Sequence, residues 1–176
     1  LISPFKHPDI GKDESIAGFF NSTLTVNDPA GTEVLLKEVF GYELIAKEGN
    51  RLRYSSGEEV IGNMIDLVHL PGEKRGNIAG GSVHHVAFRT EDNESELEIR
   101  KNLIEFGLQP TPQIDRDYFM SIYFREPQGV LFEIATDPPG FTKDEKLSEL
   151  GSALKLPKQH EPRREQIEEM LQDLKV

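Results

Sequence analysis

The sequence predicts an α+β protein in which two tandem βαβββ modules form a curved mixed sheet, followed by a C-terminal helical tail. The order strand, helix, strand, strand, strand occurs twice along the chain. Each predicted helix ends at a Phe-Gly pair, Phe40-Gly41 in the first copy and Phe106-Gly107 in the second, and the two pairs are about 66 residues apart. A repeat of this length is longer than solenoid repeats, so it indicates a duplicated module.

The first module is predicted over residues 16–72, after a linker or arm at residues 1–15. It begins with a strand at 19–26 that is rich in aromatic and β-branched residues. Asp28-Pro29 is a favourable start for the helix, and Gly41 is a favourable end, because glycine readily adopts the positive φ of a helix terminus. The three strands that follow are predicted at residues 42–46, 51–55 and 64–68.

The second module is predicted over residues 80–137. A strand at 83–89 precedes a helix at 92–106, whose apolar face includes Leu103 and Phe106. The remaining three strands are predicted at residues 113–115, 119–125 and 130–136. The second module therefore repeats the element order of the first.

A tail is predicted over residues 138–176, with a helix at 161–174. Pro162 lies in the first turn of this helix, where a proline is tolerated. Apolar residues recur at helical spacing along one face, which indicates that this face packs on the body of the protein or on a partner subunit. These residues are Ile167, Met170, Leu171 and Leu174.

Composition excludes several classes of function. The formal net charge is −11, which argues against nucleic acid or an anionic membrane as a partner. No stretch approaches the ~20 apolar residues of a membrane span. The chain has no cysteine, which excludes disulfides, thiolate zinc sites and cysteine nucleophiles. A cysteine-free chain suits a reducing compartment, so we expect a cytoplasmic protein.

Two adjacent histidines, His84 and His85, are the first candidates for a functional site. Successive side chains of a strand point to opposite faces, so we expect one of the two to face the concave side of the sheet. Alignment of the two copies pairs Phe20 with His85, and a phenylalanine cannot bind a metal.

Glu133 is the second candidate, because it interrupts an otherwise apolar strand. A carboxylate in such a run is costly to bury unless it is paired or bound to a metal. The structural alternative is an ion pair with Arg116 or Arg125. If the first and last strands of the module both line its concave face, His85 and Glu133 converge there. An imidazole and a carboxylate without a thiolate suit Fe(II) or Mn(II), and the facial triad of two histidines and one carboxylate would then lack one histidine.

Tyr123 and Arg116 are expected near the same face by the same strand reasoning. A phenol and a guanidinium can orient or protonate an anionic oxygen of a substrate. The alternatives are a tyrosine at the rim and an arginine at the surface. The sequence has no phosphate loop, no dinucleotide fingerprint, no GxSxG and no HExxH motif, so no organic cofactor is predicted.

At these residues the sequence resembles a known family. The segments 83–88, 118–125 and 127–133 are similar to the carboxy-terminal half of bacterial hydroquinone-type ring-cleaving (extradiol) dioxygenases. The tail segments 139–142, 150–151 and 154–157 also resemble that family, and the similarity extends from about Ile16 onward. This family belongs to the glyoxalase/bleomycin resistance/dioxygenase superfamily, also called the vicinal oxygen chelate superfamily.

The resemblance implies a fold, a metal and a reaction. By motif match, His85 and Glu133 fall on metal-ligand positions for Fe(II), with Mn(II) as the alternative. His84, Arg116 and Tyr123 fall on catalytic positions around the metal or the substrate. The implied reaction inserts both atoms of dioxygen into a hydroquinone- or catechol-like ring and opens it. Members of the family contain four modules and this chain has two, so the remaining histidine ligand is expected from the absent amino-terminal half.

Two other functions on the same scaffold remain open at the level of sequence. One is a glyoxalase-like metal-dependent isomerase or lyase, which would need further His or Glu ligands in the first module. The other is a non-enzymatic module that binds small molecules without a metal. For any of the three we expect either a homodimer or pairing with the absent amino-terminal half.

Overall fold

A computed structural model describes residues 6, 8–57, 62–74 and 76–172 of the chain. The predicted arm at residues 1–15 therefore lies partly outside the described residues, as does the predicted end of the tail helix. No helix within these ranges is long and apolar enough to cross a membrane.

The first four strands form one mixed sheet with the order β1-β4-β3-β2. Strands β1 and β4 are parallel, and the other two pairs are antiparallel. Helix α1 connects β1 to β2, and Gly41, with φ of 67°, follows it. The elements are β1 (Asn21–Val26), α1 (Ala30–Glu38), β2 (Glu43–Glu48), β3 (Arg51–Ser55) and β4 (Met64–His69).

The last four strands form a second sheet with the equivalent order β5-β8-β7-β6. Strands β5 and β8 are parallel, and β8 and β6 each pair antiparallel to β7. The elements are β5 (Val86–Thr90), α2 (Asn93–Glu105), β6 (Ile114–Asp115), β7 (Phe119–Arg125) and β8 (Leu131–Pro139). The prediction of an α+β fold with two βαβββ units is confirmed.

Helix α2 begins and ends at residues that the sequence marks. The Asp92 side chain accepts a hydrogen bond from the backbone N–H of Ser95 at 2.8 Å, which satisfies one of the free donors of the first turn. This contact lowers the pKa of Asp92 below its usual range. Gly107, with φ of 95°, follows the helix, and this backbone conformation strongly favours glycine.

One hydrophobic core serves both sheets. Leu35 of α1 and Leu103 of α2 are fully buried in it. Between the two units, the Phe40 ring stacks on the Phe88 ring with 4.7 Å between centroids. The two modules are therefore packed as one folded body, and the core fixes which face of each sheet carries polar side chains.

The tail differs from the prediction. Its helix α3 spans Arg164–Met170 after a short 3₁₀ turn at Glu161–Arg163, so it is shorter than predicted at both ends. None of its residues is buried, and Met170 is 77% exposed. Of the described residues of the apolar stripe, Ile167 is partly buried, whereas Met170 and Leu171 are exposed, so most of this stripe does not pack on the body of the chain. Its packing on a partner subunit stays a prediction.

Candidate metal centre

Strands β7 and β8 present alternate side chains to two different surfaces. Ile122 and Phe132 are fully buried and face the core. Tyr123 and Glu133 are direct cross-strand partners one residue further along each strand. Because strand side chains alternate, these two side chains point away from the core, onto the face opposite the helices.

The Glu133 carboxylate is the centre of a hydrogen-bonded cluster on this face. Its Oε2 lies 2.7 Å from Nε2 of His85, and its Oε1 accepts a hydrogen bond from the Tyr123 hydroxyl at 2.5 Å. The Glu133 side chain is only 4% exposed, whereas that of His85 is 32% exposed. Two side chains therefore bind the carboxylate, and one of them, His85, is partly exposed to solvent.

His84 and His85 are not arranged as predicted. The strand begins at Val86, so both histidines precede it and the alternation of a strand does not apply to them. Their Nδ1 atoms lie 2.8 Å apart, within hydrogen-bonding distance, and their rings are nearly perpendicular. The expectation that they point to opposite faces of the sheet is wrong, and His84 is instead a direct neighbour of His85.

Arg116 completes the cluster through Tyr123. Its Nη2 donates to the Tyr123 hydroxyl at 3.2 Å, and its guanidinium carbon lies 5.4 Å from the centre of the ring. Arg125, the other arginine considered as a partner for Glu133, donates instead to the backbone carbonyl of Gly129. The structure thus connects all five candidates in the order His84, His85, Glu133, Tyr123 and Arg116.

The first sheet carries a different set of side chains at the equivalent place. Asp66 of β4 pairs with Thr23 of β1 and Arg53 of β3, just as Glu133 pairs with Ala87 and Tyr123. By this register, Asn21 and not Phe20 takes the place of His85, which corrects the sequence alignment of the two copies.

Asp66 is fully buried and bound by two arginines. Arg51 reaches it at 2.7 Å and Arg53 at 2.8 Å. The hydrogen bond from Arg53 is the main reason that the pKa of Asp66 is lowered, and Arg51 lowers it further against the opposing effect of burial.

The sequence is similar to several proteins that are named ring-cleaving dioxygenases. The proteins MhqO and MhqE of Bacillus subtilis, provisionally named ring-cleaving dioxygenases, are 44% and 46% identical to this chain. These matches cover 96% and 95% of this chain but 53% and 54% of the relatives. A chlorohydroquinone/hydroquinone 1,2-dioxygenase of Sphingobium indicum is 29% identical over 98% of this chain and 54% of its own length. No family model matches the chain.

A solved structure carries the same likeness. The crystal structure of a Bacillus subtilis protein, provisionally named a dioxygenase, superposes with a TM-score of 0.88 at 44% identity, over 96% of this chain and 54% of that one. The chain is therefore similar, along nearly its whole length, to about half of proteins that are provisionally named ring-cleaving dioxygenases. It spans about half the length of the curated relatives it matches.

More distant solved structures share only the fold. A lactoylglutathione lyase of Agrobacterium tumefaciens superposes with a TM-score of 0.54 at 18% identity, over 69% of this chain and 94% of its own. A variant of the fosfomycin resistance protein FosX of Listeria monocytogenes, in complex with Mn(II), superposes with a TM-score of 0.52 at 24% identity, over 68% of this chain and 90% of its own.

Two side chains of the cluster have nearly the spacing of neighbouring donors on one metal ion. Two ligand atoms at right angles on one ion, each ~2.1 Å from it, are ~3 Å apart. Nε2 of His85 and Oε2 of Glu133 are 2.7 Å apart, so a shift of a few tenths of an ångström would admit an ion. Within the described ranges, no group of three or more His, Cys, Asp or Glu side chains is placed to hold a metal.

Two further buried polar residues were not predicted from the sequence. Glu96 of α2 is fully buried, and Gln113 donates to its Oε2 at 2.6 Å. Burial raises the pKa of Glu96, and the negative charge of Glu133 raises it further. Ser121 is also fully buried, and its hydroxyl has no hydrogen-bond partner among the described residues. The three- and four-residue spacing of Glu96, Ile99 and Leu103 would have placed Glu96 on the buried face of the helix.

Proposed function

We propose that this chain supplies the metal-binding and substrate-orienting face of an extradiol-type ring-cleaving dioxygenase that acts on hydroquinone- or catechol-like aromatics. The observation that carries the proposal is the connected cluster on the face opposite the helices. The identity of 44–46% to proteins provisionally named ring-cleaving dioxygenases supports it. So does the likeness to a hydroquinone 1,2-dioxygenase, whose name states the class of substrate.

His85 and Glu133 are the residues that would hold the metal, Fe(II) in the first instance and Mn(II) as the alternative. Imidazole nitrogen and carboxylate oxygen without thiolate are suited to these ions. When bound, such an ion would supply Lewis acidity and a path for electrons between the ring and dioxygen. The hydrogen bond from Tyr123 to the other carboxylate oxygen would fix the orientation of Glu133 toward the ion.

Arg116, Tyr123 and His84 would act on the substrate and on the ligands. The Tyr123 hydroxyl has one proton, which it donates to Glu133 while it accepts a hydrogen bond from Arg116. It would donate that proton to an anionic ring oxygen only in exchange for its hydrogen bond to Glu133. The Arg116 guanidinium is permanently charged, and it would stabilise the negative charge of that oxygen. His84, at 2.8 Å from Nδ1 of His85, would fix the orientation of the metal-ligating ring.

Two donors do not complete a facial triad, so the proposal includes a partner. In a protein as long as the relatives, the third donor would come from the other half, which we take to be the amino-terminal half. The alternative source is a second copy of this chain. The cluster is partly open to solvent at His85, which leaves room for such a partner. We place the enzyme in the cytoplasm, in keeping with its cysteine-free sequence.

Neither alternative function gains support from the geometry. A glyoxalase-like enzyme would need ligands in the first module, but the Asp66 carboxylate is bound by Arg51 and Arg53. A metal-free binding module would not need a buried carboxylate bonded to a partly exposed imidazole. The ring-cleaving function is therefore the one that the side chains favour.

Oxygen uptake tests the proposal. A protein that joins this chain to the amino-terminal half, the proposed source of the third donor, is loaded anaerobically with Fe(II) or Mn(II) and then mixed with hydroquinone or catechol. We expect one dioxygen consumed per ring, with both labelled oxygen atoms of ¹⁸O₂ recovered in a ring-opened product. Glu133→Gln should abolish uptake, whereas Asp137→Asn, which changes an exposed carboxylate of the same strand, should not. Oxidation of the ring to a quinone without ring opening would overturn the proposal.

A further inference from the structure

We infer that Thr32 and Glu126 form an inter-module contact that positions the β7–β8 hairpin, and with it Tyr123 and Glu133. Both would be positioning residues, acting on the site through the hairpin and without touching substrate. The inference rests on the proposed function for its consequence in catalysis. The contact itself is a feature of the fold, and it can be tested separately.

The contact is a buried hydrogen bond between the two modules. The Thr32 hydroxyl of α1 donates to Oε2 of Glu126 at 2.5 Å. Thr32 is fully buried and Glu126 is 2% exposed. A carboxylate in such a place is costly unless polar groups replace its water, and here the donor comes from the other module. Thr32 lies in the first turn of α1, whose positive end also favours a nearby negative charge.

The same carboxylate closes the turn between β7 and β8. Its Oε1 accepts a hydrogen bond from the backbone N–H of Val130 at 2.8 Å. The backbone N–H of Glu126 donates to the carbonyl of Val130 at 3.0 Å, and that of Gly129 donates to the carbonyl of Glu126 at 2.7 Å. One side chain therefore holds the turn together and ties it to α1.

The backbones of the two modules approach closely at this point. A Cβ placed on Gly31 would lie 2.8 Å from Cβ of Pro127, which is closer than real Cβ atoms approach a neighbour. The backbone N–H of Asp28 also donates to Oε1 of Gln128 at 3.3 Å. Three successive residues of the turn thus contact the start of α1, and the approach depends on a glycine.

The turn determines how β7 and β8 lie against each other. Arg125 and Leu131 are the last cross-strand pair before it, and Tyr123 and Glu133 are the next pair on the same face. The 2.5 Å hydrogen bond between Tyr123 and Glu133 depends on the relative position of these two strands. A shift of the turn would therefore move Glu133 relative to Tyr123 and to His85, which lies on a third segment.

Substitution of Thr32 tests the inference in the full chain. Thr32→Val removes the hydroxyl at nearly constant volume, and Thr32→Ser keeps it. The first measurement is the imidazole ¹H–¹⁵N spectrum of the metal-free protein, in which His85 is assigned by substitution. The second is the dissociation constant for Mn(II), measured from the EPR signal of the free ion. We expect Thr32→Val to shift the His85 signals and to weaken Mn(II) binding about tenfold, and Thr32→Ser to restore both.

Thr90→Val is the matched control. Thr90 is a 7% exposed threonine of β5 in the module that carries the site, away from the inter-module contact. Its substitution should leave the His85 signals and the Mn(II) affinity unchanged. If Thr32→Val fails to fold, Gly31→Ala decides, because it keeps the Thr32 hydroxyl and displaces Pro127. It should shift the His85 signals in the same way.

The outcomes separate the inference from the proposed function. A Thr32→Val protein with a lower melting temperature but wild-type His85 signals would show a merely structural contact and overturn the inference. Wild-type protein that binds no Mn(II) or Fe(II) would overturn the proposed metal site. In that case the His85 signals of the metal-free protein still decide whether the inter-module contact positions the hairpin.

Discussion

The two sheets carry a carboxylate at the same place and surround it differently. Asp66 and Glu133 lie in equivalent strands, with equivalent cross-strand partners on both sides. Two arginines bind Asp66, whereas a histidine and a tyrosine bind Glu133. An arginine stays charged and cannot give up its proton to become a ligand, but an imidazole can offer a lone pair to a metal.

This difference shows what a duplicated module can and cannot determine. The backbone register places a carboxylate on the face opposite the helices in both copies. The neighbouring side chains then decide whether the carboxylate is bound by arginines or by a histidine and a tyrosine. Arg53 takes the place of Tyr123 in the register, so one cross-strand position contributes much of the contrast. The two sheets therefore differ in a few side chains carried by the same scaffold.

The substitution with the largest expected effect tests whether Glu133, and not Asp66, is needed for metal binding. Glu133→Ala removes one of only two candidate donors, so metal affinity should fall by at least ~100-fold. Asp66→Ala, the matched change in the first module, should leave metal affinity unchanged. Elemental analysis of both variants after anaerobic Fe(II) loading and desalting checks this prediction. Equal iron content in the two variants would remove the functional distinction between the sheets.

The second prediction concerns stability. Asp66→Asn leaves two guanidinium groups side by side without an anion, so the free energy of unfolding at pH 7 should fall by about 2 kcal/mol. This is below the range for fully buried pairs, because the side chains of Arg51 and Arg53 are 43% and 31% exposed. Urea unfolding measures the change. Asp137→Asn, which breaks an exposed ion pair with Arg89, should have no measurable effect.

The pH dependence of that loss has a definite sign. The pKa of Asp66 is lowered from its usual 3.8, so the carboxylate stabilises the folded state above pH 3.8. This contribution is lost as the pH falls through the lower pKa of the folded protein. The difference between wild type and Asp66→Asn should therefore shrink below pH 3.8. A difference that stays constant on acidification would show that the arginines do not stabilise the charged form.

The sequence predicted the repeated modules well and the site in part. Periodicity and the Phe-Gly pairs place both helices and all eight strands within a few residues, because these signals are local. The interruption of an apolar strand marked Glu133 for the same reason. The side-chain orientation of His84 and His85 was not predictable by alternation, because the strand starts after them, at Val86.

Contacts between the two modules also could not be predicted from local sequence patterns. Thr32 and Glu126 are 94 positions apart, and neither stands out in its own segment. The pairing of Asn21 with the place of His85 depends on the parallel register of β1 and β4, which sequence spacing does not report. The predicted ligand roles of His85 and Glu133 remain predictions, and the experiments above test them.

The substitution with the smallest expected effect compares a glutamate of α1 with a glutamate of α2. Glu33 and Glu96 occupy the same position of the first turn, and their backbone N–H groups donate to Pro29 and Asp92 respectively. Glu33 is paired with Lys37 and is 26% exposed on its side chain, whereas Glu96 is fully buried with one oxygen unpartnered. Replacement by glutamine should therefore change the free energy of unfolding at pH 7 differently at the two positions.

Burial raises the pKa of Glu96 above its usual 4.5, so the folded protein binds this proton more tightly than the unfolded chain does. Its favourable contribution is complete below pH 4.5 and is lost as the pH rises through the folded pKa.

Glu96→Gln, which is neutral at every pH, should therefore be more stable than wild type at pH 7 by about 1 kcal/mol. Below pH 4.5 the two should converge, because both side chains are then uncharged in both states. Urea unfolding at pH 4 and pH 7 measures this, with Glu33→Gln as the control that should show no such gain at pH 7. An equal gain at both pH values would mean that packing, and not the buried charge of Glu96, sets the stability at this position.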